Sequence, residues 1–311
     1  MTTIFLALLP VFIVILVGYA LRRFEVIDTA QWAGLDHLCY FVLFPAIIFK
    51  EIAAADFANV PVLQMAGAMA IAVIAMIGLL VLLNRPVMAV LKIDGPQFTS
   101  LVQGAARWHT FIAFAIIPLL FGAEALSLGA VSAAAMTPLL NILCVIVMAR
   151  FAHETYVEPG KLLLSILKNP FVFSSLGGVA WQLSGLHVPG MALQVLDMIG
   201  RGALGLALLT VGAGLQLGSV VKAWPPIAAA TVLKLLAMPA LMAGALWLMG
   251  VHGQAFAVAL LCAAVPTGSG AYVLARKMGG DAPMVANILT MQVIAAALTI
   301  PLVLWLAGAT T

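Results

Sequence analysis

The chain has 311 residues, 65% of them hydrophobic and 8% charged, with a formal net charge of +3 and a mean hydropathy of +1.20. Soluble chains carry about 45–50% apolar and about 25% charged residues, so a soluble globular domain is excluded and an integral membrane protein is expected. The basic residues sit in short loops, which points to membrane topology and away from nucleic acid.

Runs of about 20 apolar residues mark membrane helices. They predict ten spans in chain order, at roughly 4–21, 32–53, 61–83, 97–121, 125–149, 162–184, 190–216, 223–249, 254–277 and 283–308. The short alternating pattern of a transmembrane barrel is absent. Met1 to Tyr19 carry no positive charge ahead of the apolar run and no cleavage site follows, so the first helix is expected to be retained. Arg22, Arg23, Arg85, Lys92, Arg150, Lys161, Lys168, Lys222, Arg276 and Lys277 fall in loops on one side, against Lys50 on the other. Lys and Arg concentrate in cytoplasmic loops, so both termini are expected on the non-cytoplasmic side. Cys39, Cys144 and Cys262 lie in or beside apolar segments, with no metal spacing and no disulfide framework.

Five spans per half is an odd number, so related halves would be inverted in the membrane. Gly18-Tyr19-Ala20-Leu21 resembles Gly178-Val179-Ala180-Trp181, and Leu35-Asp36 resembles Leu196-Asp197. Ala105-Ala106-Arg107 lies near Ala264-Val265-Pro266, and Phe121-Gly122-Ala123-Glu124 near Gly279-Gly280-Asp281-Ala282, all at nearly one offset. The expectation is an all-α membrane protein of two five-span inverted repeats, residues 1–160 and 161–311, an arrangement common in secondary transporters.

Val265-Pro266-Thr267-Gly268-Ser269-Gly270 interrupts the ninth span. Pro266 lacks an N–H and Gly268 and Gly270 loosen the next turn. Irregular backbone at membrane depth is tolerated where it lines a cavity or is buried in protein. The repeat partner in the fourth span is Gly104 to Thr110, with Arg107, His109 and Thr110 as the densest polar cluster of any span. A charge at that depth needs a cavity or a partner. If the two breaks meet, Arg107, His109, Thr110, Pro266, Thr267, Gly268, Ser269 and Gly270 form one site. Half-helix N-termini attract anions and a guanidinium pairs with a carboxylate in bidentate fashion, so the expected ligand is a small organic anion. Competing readings are a bare kink at Pro266, a snorkelling Arg107, and a His109 held by a carbonyl rather than titrating.

Lys234, midway along the eighth span, has three competing roles: an ion pair, an anion site, or a charge standing in for a coupling cation. A structural or gating role is preferred. Asp197 and Arg201 are four apart and can pair on one helix face; Asp36 and His37 are expected at the interface. Gln103, Asn141, Asn287 and Gln292 are cavity-lining or interhelical amides. No nucleophile–base set, metal motif or phosphate loop is present, so neither an enzyme nor a cofactor is expected.

The chain also resembles a known family. Leu9-Pro10-Val11-Phe12 with Gly18 to Arg23, Leu43-Phe44-Pro45-Ala46, Val102 to Phe111, Lys168-Asn169-Pro170, Val211 to Leu215, Lys234-Leu235 with Pro239, and Pro266-Thr267 through Ala275 with Gly279-Gly280-Asp281 are similar to the auxin efflux carrier family of bacterial permeases. The resemblance implies a fold similar to bile-acid sodium symporters, with crossing broken helices in spans four and nine. It implies a scaffold of spans 1–2 and 6–7 and a transport unit of spans 3–5 and 8–10. The implied function is secondary transport of small organic anions, such as malonate or related dicarboxylates, by alternating access in a bacterial cytoplasmic membrane. The family usually has asparagine where this chain has His109, which makes proton coupling an expectation to test. Arg107, His109, Thr110, Pro266, Thr267, Gly268, Ser269, Gly270, Gln103 and Asn287 are the expected substrate contacts, with His109, Lys234 and Asp197 in coupling or gating. Expected partners are the anion, protons, the bilayer and a second copy in a homodimer. A channel-like uniporter and a receptor that binds an anion without moving it are the rival readings.

Overall fold

A computed structural model describes residues 2–54, 61–152, 160, 170–215 and 224–308. Among them every regular element is helical, as lipid demands of backbone that must satisfy its own hydrogen bonds. The first half comprises α1 (Thr2–Arg23), α2 (Thr29–Leu38), a π-helical turn (Cys39–Leu43), α3 (Phe44–Ala53), α4 (Val62–Leu82), α5 (Asn84–Leu91), α6 (Gly95–Ala106), α7 (Thr110–Phe121) and α8 (Leu126–Phe151). The second comprises α9 (Pro170–Leu183), α10 (Gly190–Arg201), α11 (Ala203–Ala213), α12 (Trp224–Val232), a second π-helical turn (Leu233–Ala237), α13 (Met238–Leu248), α14 (Gly253–Ala264), α15 (Gly270–Met278) and α16 (Ala282–Leu306).

By length and composition, eight stretches of the described residues are able to cross a membrane. They coincide with the expected spans one to five, seven, eight and ten. The ninth is divided into α14 and α15, and the start of the sixth, with Lys161, Lys168 and Asn169, lies outside the described residues, as does Lys222. Residues 84–96, which fall between the expected third and fourth spans, contain the helix α5. It stops where Lys92 turns left-handed at φ 53°.

Local chemistry sets the helix starts. Asp94 accepts from the N–H of Gln97 at 2.9 Å while the Gln97 side chain returns to the N–H of Asp94 at 3.2 Å, a reciprocal cap for α6. Asp281 caps α16 through the N–H of Met284 at 2.9 Å, and its own N–H donates to Ser100 Oγ at 3.0 Å. That bond ties the starts of α6 and α16.

Helix pairs exchange between the halves. α1 packs along α11, and α9 along α3. At the first contact backbones touch: a Cβ on Gly212 would stand 1.8 Å from the Ile15 carbonyl oxygen, and one on Gly18 would stand 2.1 Å from that of Leu209. Membrane helices associate through such small residues because lipid provides no hydrophobic drive between them. α4 packs on α13 and α8, and α6 is enclosed by α8, α12 and α16. α6 and α14 each run for 12 residues and end the same way. Arg107 leaves its helix at φ −69°, ψ 157° and Val265 at φ −69°, ψ 154°.

Candidate functional site

The two breaks meet. In an unbroken α14 the N–H of Thr267 would donate to the carbonyl of Ala263, four residues back. Here Thr267 N–H donates to Gln292 Oε1 at 2.8 Å, and the Ala263 carbonyl accepts from Lys234 Nζ at 2.8 Å. The broken fourth span is served by the same groups. Thr267 Oγ1 donates to the Gly104 carbonyl at 2.7 Å, and Gln292 Nε2 donates to it at 2.8 Å and to that of Ala230 at 3.1 Å. The segments cross so closely that a Cβ on Gly268 would lie 2.6 Å from the Trp108 carbonyl oxygen. Glycine is required there by proximity. Backbone groups freed by the breaks thus find side-chain partners from other spans, as a dry interior requires.

On one side of the crossing lies a cavity of about 590 Å³. Arg107, His109, Thr110, Gly268, Ser269 and Gly270 line it. Arg107 Nη2 donates to Asn141 Oδ1 at 3.1 Å, while its Nη1 is buried with no partner among the described residues. His109 is 2% exposed and its Nε2 likewise has no such partner. Thr110 opens α7 and Gly270 opens α15, so two half-helix N-termini border the cavity. The guanidinium stands close to one of them: a Cβ on Gly270 would be 3.1 Å from Arg107 Nη2. Two helix N-termini and a guanidinium together make a strongly positive locus. Lys277 adds to it, and Asp36 is the one carboxylate among the lining residues.

Aromatic side chains, Tyr40, Phe41, Phe111 and Phe171, also line the cavity. Phe44 stacks on Phe111 at 4.3 Å and 7°, and Tyr40 meets Phe171 at 5.1 Å. The cavity lining therefore combines cationic and aromatic side chains.

Six of the expected substrate contacts reach this lining. Pro266 and Thr267 are buried in the crossing itself, where Thr267 serves the backbone. Gln103 lies outside the lining and donates to Met148 Sδ at 3.4 Å; Asn287, 9% exposed on α16, also lies outside. Lys234 is completely buried and pairs with no carboxylate among the described residues. Asp197 binds Arg201 Nε at 2.6 Å, as its spacing suggested, and also Lys50 Nζ at 2.7 Å from α3. That cluster is separate from the cavity lining. Asp36 and His37, expected at the interface, are among the residues that line the cavity. Thr137, Tyr40 and Phe171 were not foreseen. A readable signal existed for the first: Thr137 and Asn141 are one helical turn apart in the largely apolar α8 and share a face.

A family model described as membrane transport protein matches residues 3–304. An uncharacterized transporter of Methanothermobacter thermautotrophicus is 22% identical over 295 residues, covering 94% of this chain and 95% of its own. Auxin efflux carrier component 3a of Oryza sativa subsp. japonica is 31% identical over 118 residues, which is 36% of this chain but 19% of its own length. Auxin efflux carrier component 5 of Arabidopsis thaliana is 27% identical over 134 residues, 41% of this chain and 38% of its own.

Proposed function

Because this chain belongs to the membrane transport protein family, that of the auxin efflux carriers, we propose that its cavity binds a small organic anion for secondary transport. One observation carries the reading: Arg107, whose Nη1 has no partner among the described residues, lines the same cavity as Thr110 and Gly270, the first residues of α7 and α15. An anion there would gain charge-assisted hydrogen bonds and relieve the mutual repulsion of three positive ends. The size of the cavity and its aromatic side chains favour a carboxylate with an apolar body over malonate, which would leave those side chains wet.

Transport is proposed to proceed by alternating access between two five-span inverted repeats, 1–160 and 161–311. Support comes from the reciprocal packing of α1 on α11 and α9 on α3, and from the matched ends of α6 and α14. With loops such as Arg22–Arg23 and Arg276–Lys277 in the cytoplasm, the lining residues at 33–41, 137–145 and 273–277 belong to the cytoplasmic halves of their spans. The described conformation is then inward-facing, in a ten-span protein with both termini outside.

The test is ligand-induced thermal stabilisation of the purified protein against mono- and dicarboxylates, with and without an aryl or alkyl body. Binding to the folded state raises its stability with occupancy. A carboxylate that stabilises the native protein and loses at least tenfold in affinity with Arg107→Ala supports the reading. A carboxylate that binds both proteins equally refutes the role of Arg107.

A further inference from the structure

Lys234 is the side chain that the anion site leaves unexplained. It lies in the π-helical turn Leu233–Ala237, has no exposed surface, and among the described residues no carboxylate neutralises it. Its Nζ donates at 2.8 Å to the Ala263 carbonyl, one of the carbonyls left open where α14 stops. Cys262 lies beside it, with Ser132 against the Cys262 thiol. An open helix C-terminus carries partial negative charge and accepts cations. Carbonyl oxygen in a dry interior is also the coordination that a free monovalent cation seeks.

The two broken helices are not served alike. The carbonyl of Gly104, near the end of α6, is taken by two neutral donors, Thr267 Oγ1 and Gln292 Nε2. The corresponding end of α14 is taken by an ammonium group. Residues 72–76, in the place of Lys234 in the first half, read Ala-Val-Ile-Ala-Met, with no equivalent charge.

We propose that the Lys234 ammonium is a tethered monovalent cation: it fills a cation-binding position at the C-terminal end of α14, so that the crossing assembles without any inorganic cation. This goes beyond the anion reading and does not depend on it. Two consequences follow. Folding of the native protein, and any anion binding at the crossing, are indifferent to exchange of sodium for potassium or choline. Shortening the side chain opens a site for a free alkylammonium ion, of which propylammonium replaces the atoms lost in Lys234→Ala.

The experiment measures melting of the full-length protein in detergent, without substrate, in sodium, potassium and choline chloride at one ionic strength. Native protein is expected to melt within about 1 °C across the three salts. Lys234→Ala is expected to melt about 5 °C or more lower, and propylammonium to restore at least half of that loss while propanol restores none. Lys234→Met, which keeps the volume and removes the charge, covers the case in which the alanine variant does not fold. It is expected to remain destabilised in every salt. The proposal is overturned if Lys234→Met melts with the native protein, if propanol rescues as well as propylammonium, or if the native protein itself requires sodium. Since no carboxylate is present in these measurements, failure here is distinct from failure of the anion site.

Discussion

Gln292 and Thr267 should be strongly coupled, in a direction the hydrogen bonds dictate. Gln292 is completely buried and joins Thr267 N–H, the Gly104 carbonyl and the Ala230 carbonyl. Gln292→Leu keeps most of the volume but leaves the buried Thr267 N–H with no acceptor. An unsatisfied buried group costs about 1–3 kcal/mol. Thr267→Val removes one of two donors to Gly104, whose carbonyl keeps Gln292 Nε2, so its cost is about 1 kcal/mol. In the double variant that carbonyl loses both donors, a penalty absent from either single change. The double should therefore exceed the sum of the singles by about 1–3 kcal/mol. Reversible unfolding in mixed micelles, followed by tryptophan fluorescence, gives the three free energies. Additivity within about 0.5 kcal/mol, the behaviour of independent sites, would refute the claim that one carbonyl is shared by both side chains.

Gly212→Ala should cost about 3 kcal/mol or more, since its Cβ would stand 1.8 Å from the Ile15 carbonyl oxygen and α1 would have to withdraw from α11; folded yield by size-exclusion chromatography checks this. Asp197→Asn should leave the melting temperature nearly unchanged, because its partners Lys50 and Arg201 retain solvent-accessible side chains and exposed ion pairs contribute little, and should leave carboxylate stabilisation intact. Arg85→Cys, on the exposed face of α5, should be labelled by an impermeant thiol reagent in inside-out vesicles and spared in right-side-out ones. Background from Cys39, Cys144 and Cys262 should be low because all three are buried; the opposite pattern would reverse the topology.

Much of this protein is legible without its structure because the relevant physics is local. Apolar runs mark the spans since lipid tolerates little else, and Lys and Arg mark a side through the loops that carry them. The break in the ninth span is visible because Pro266 and the glycines after it constrain their own backbone. The break in the fourth is visible only through the charge on Arg107.

Tertiary structure decided which polar groups line the cavity and which serve the backbone. Thr110 and Ser269 line the cavity, whereas Thr267, equally polar and two residues from Ser269, is spent on Gly104. Nothing in the local sequence separates them, because the acceptor lies 163 residues away. Lys50 reached Asp197 and Lys234 reached Ala263 in the same way, across helix contacts set by close packing. Asp36 and His37, far in sequence from Gly268 and Lys277, share a cavity with them. A membrane helix announces its own length, but a side chain's partner depends on which helices pack beside it, and that is a property of the whole assembly.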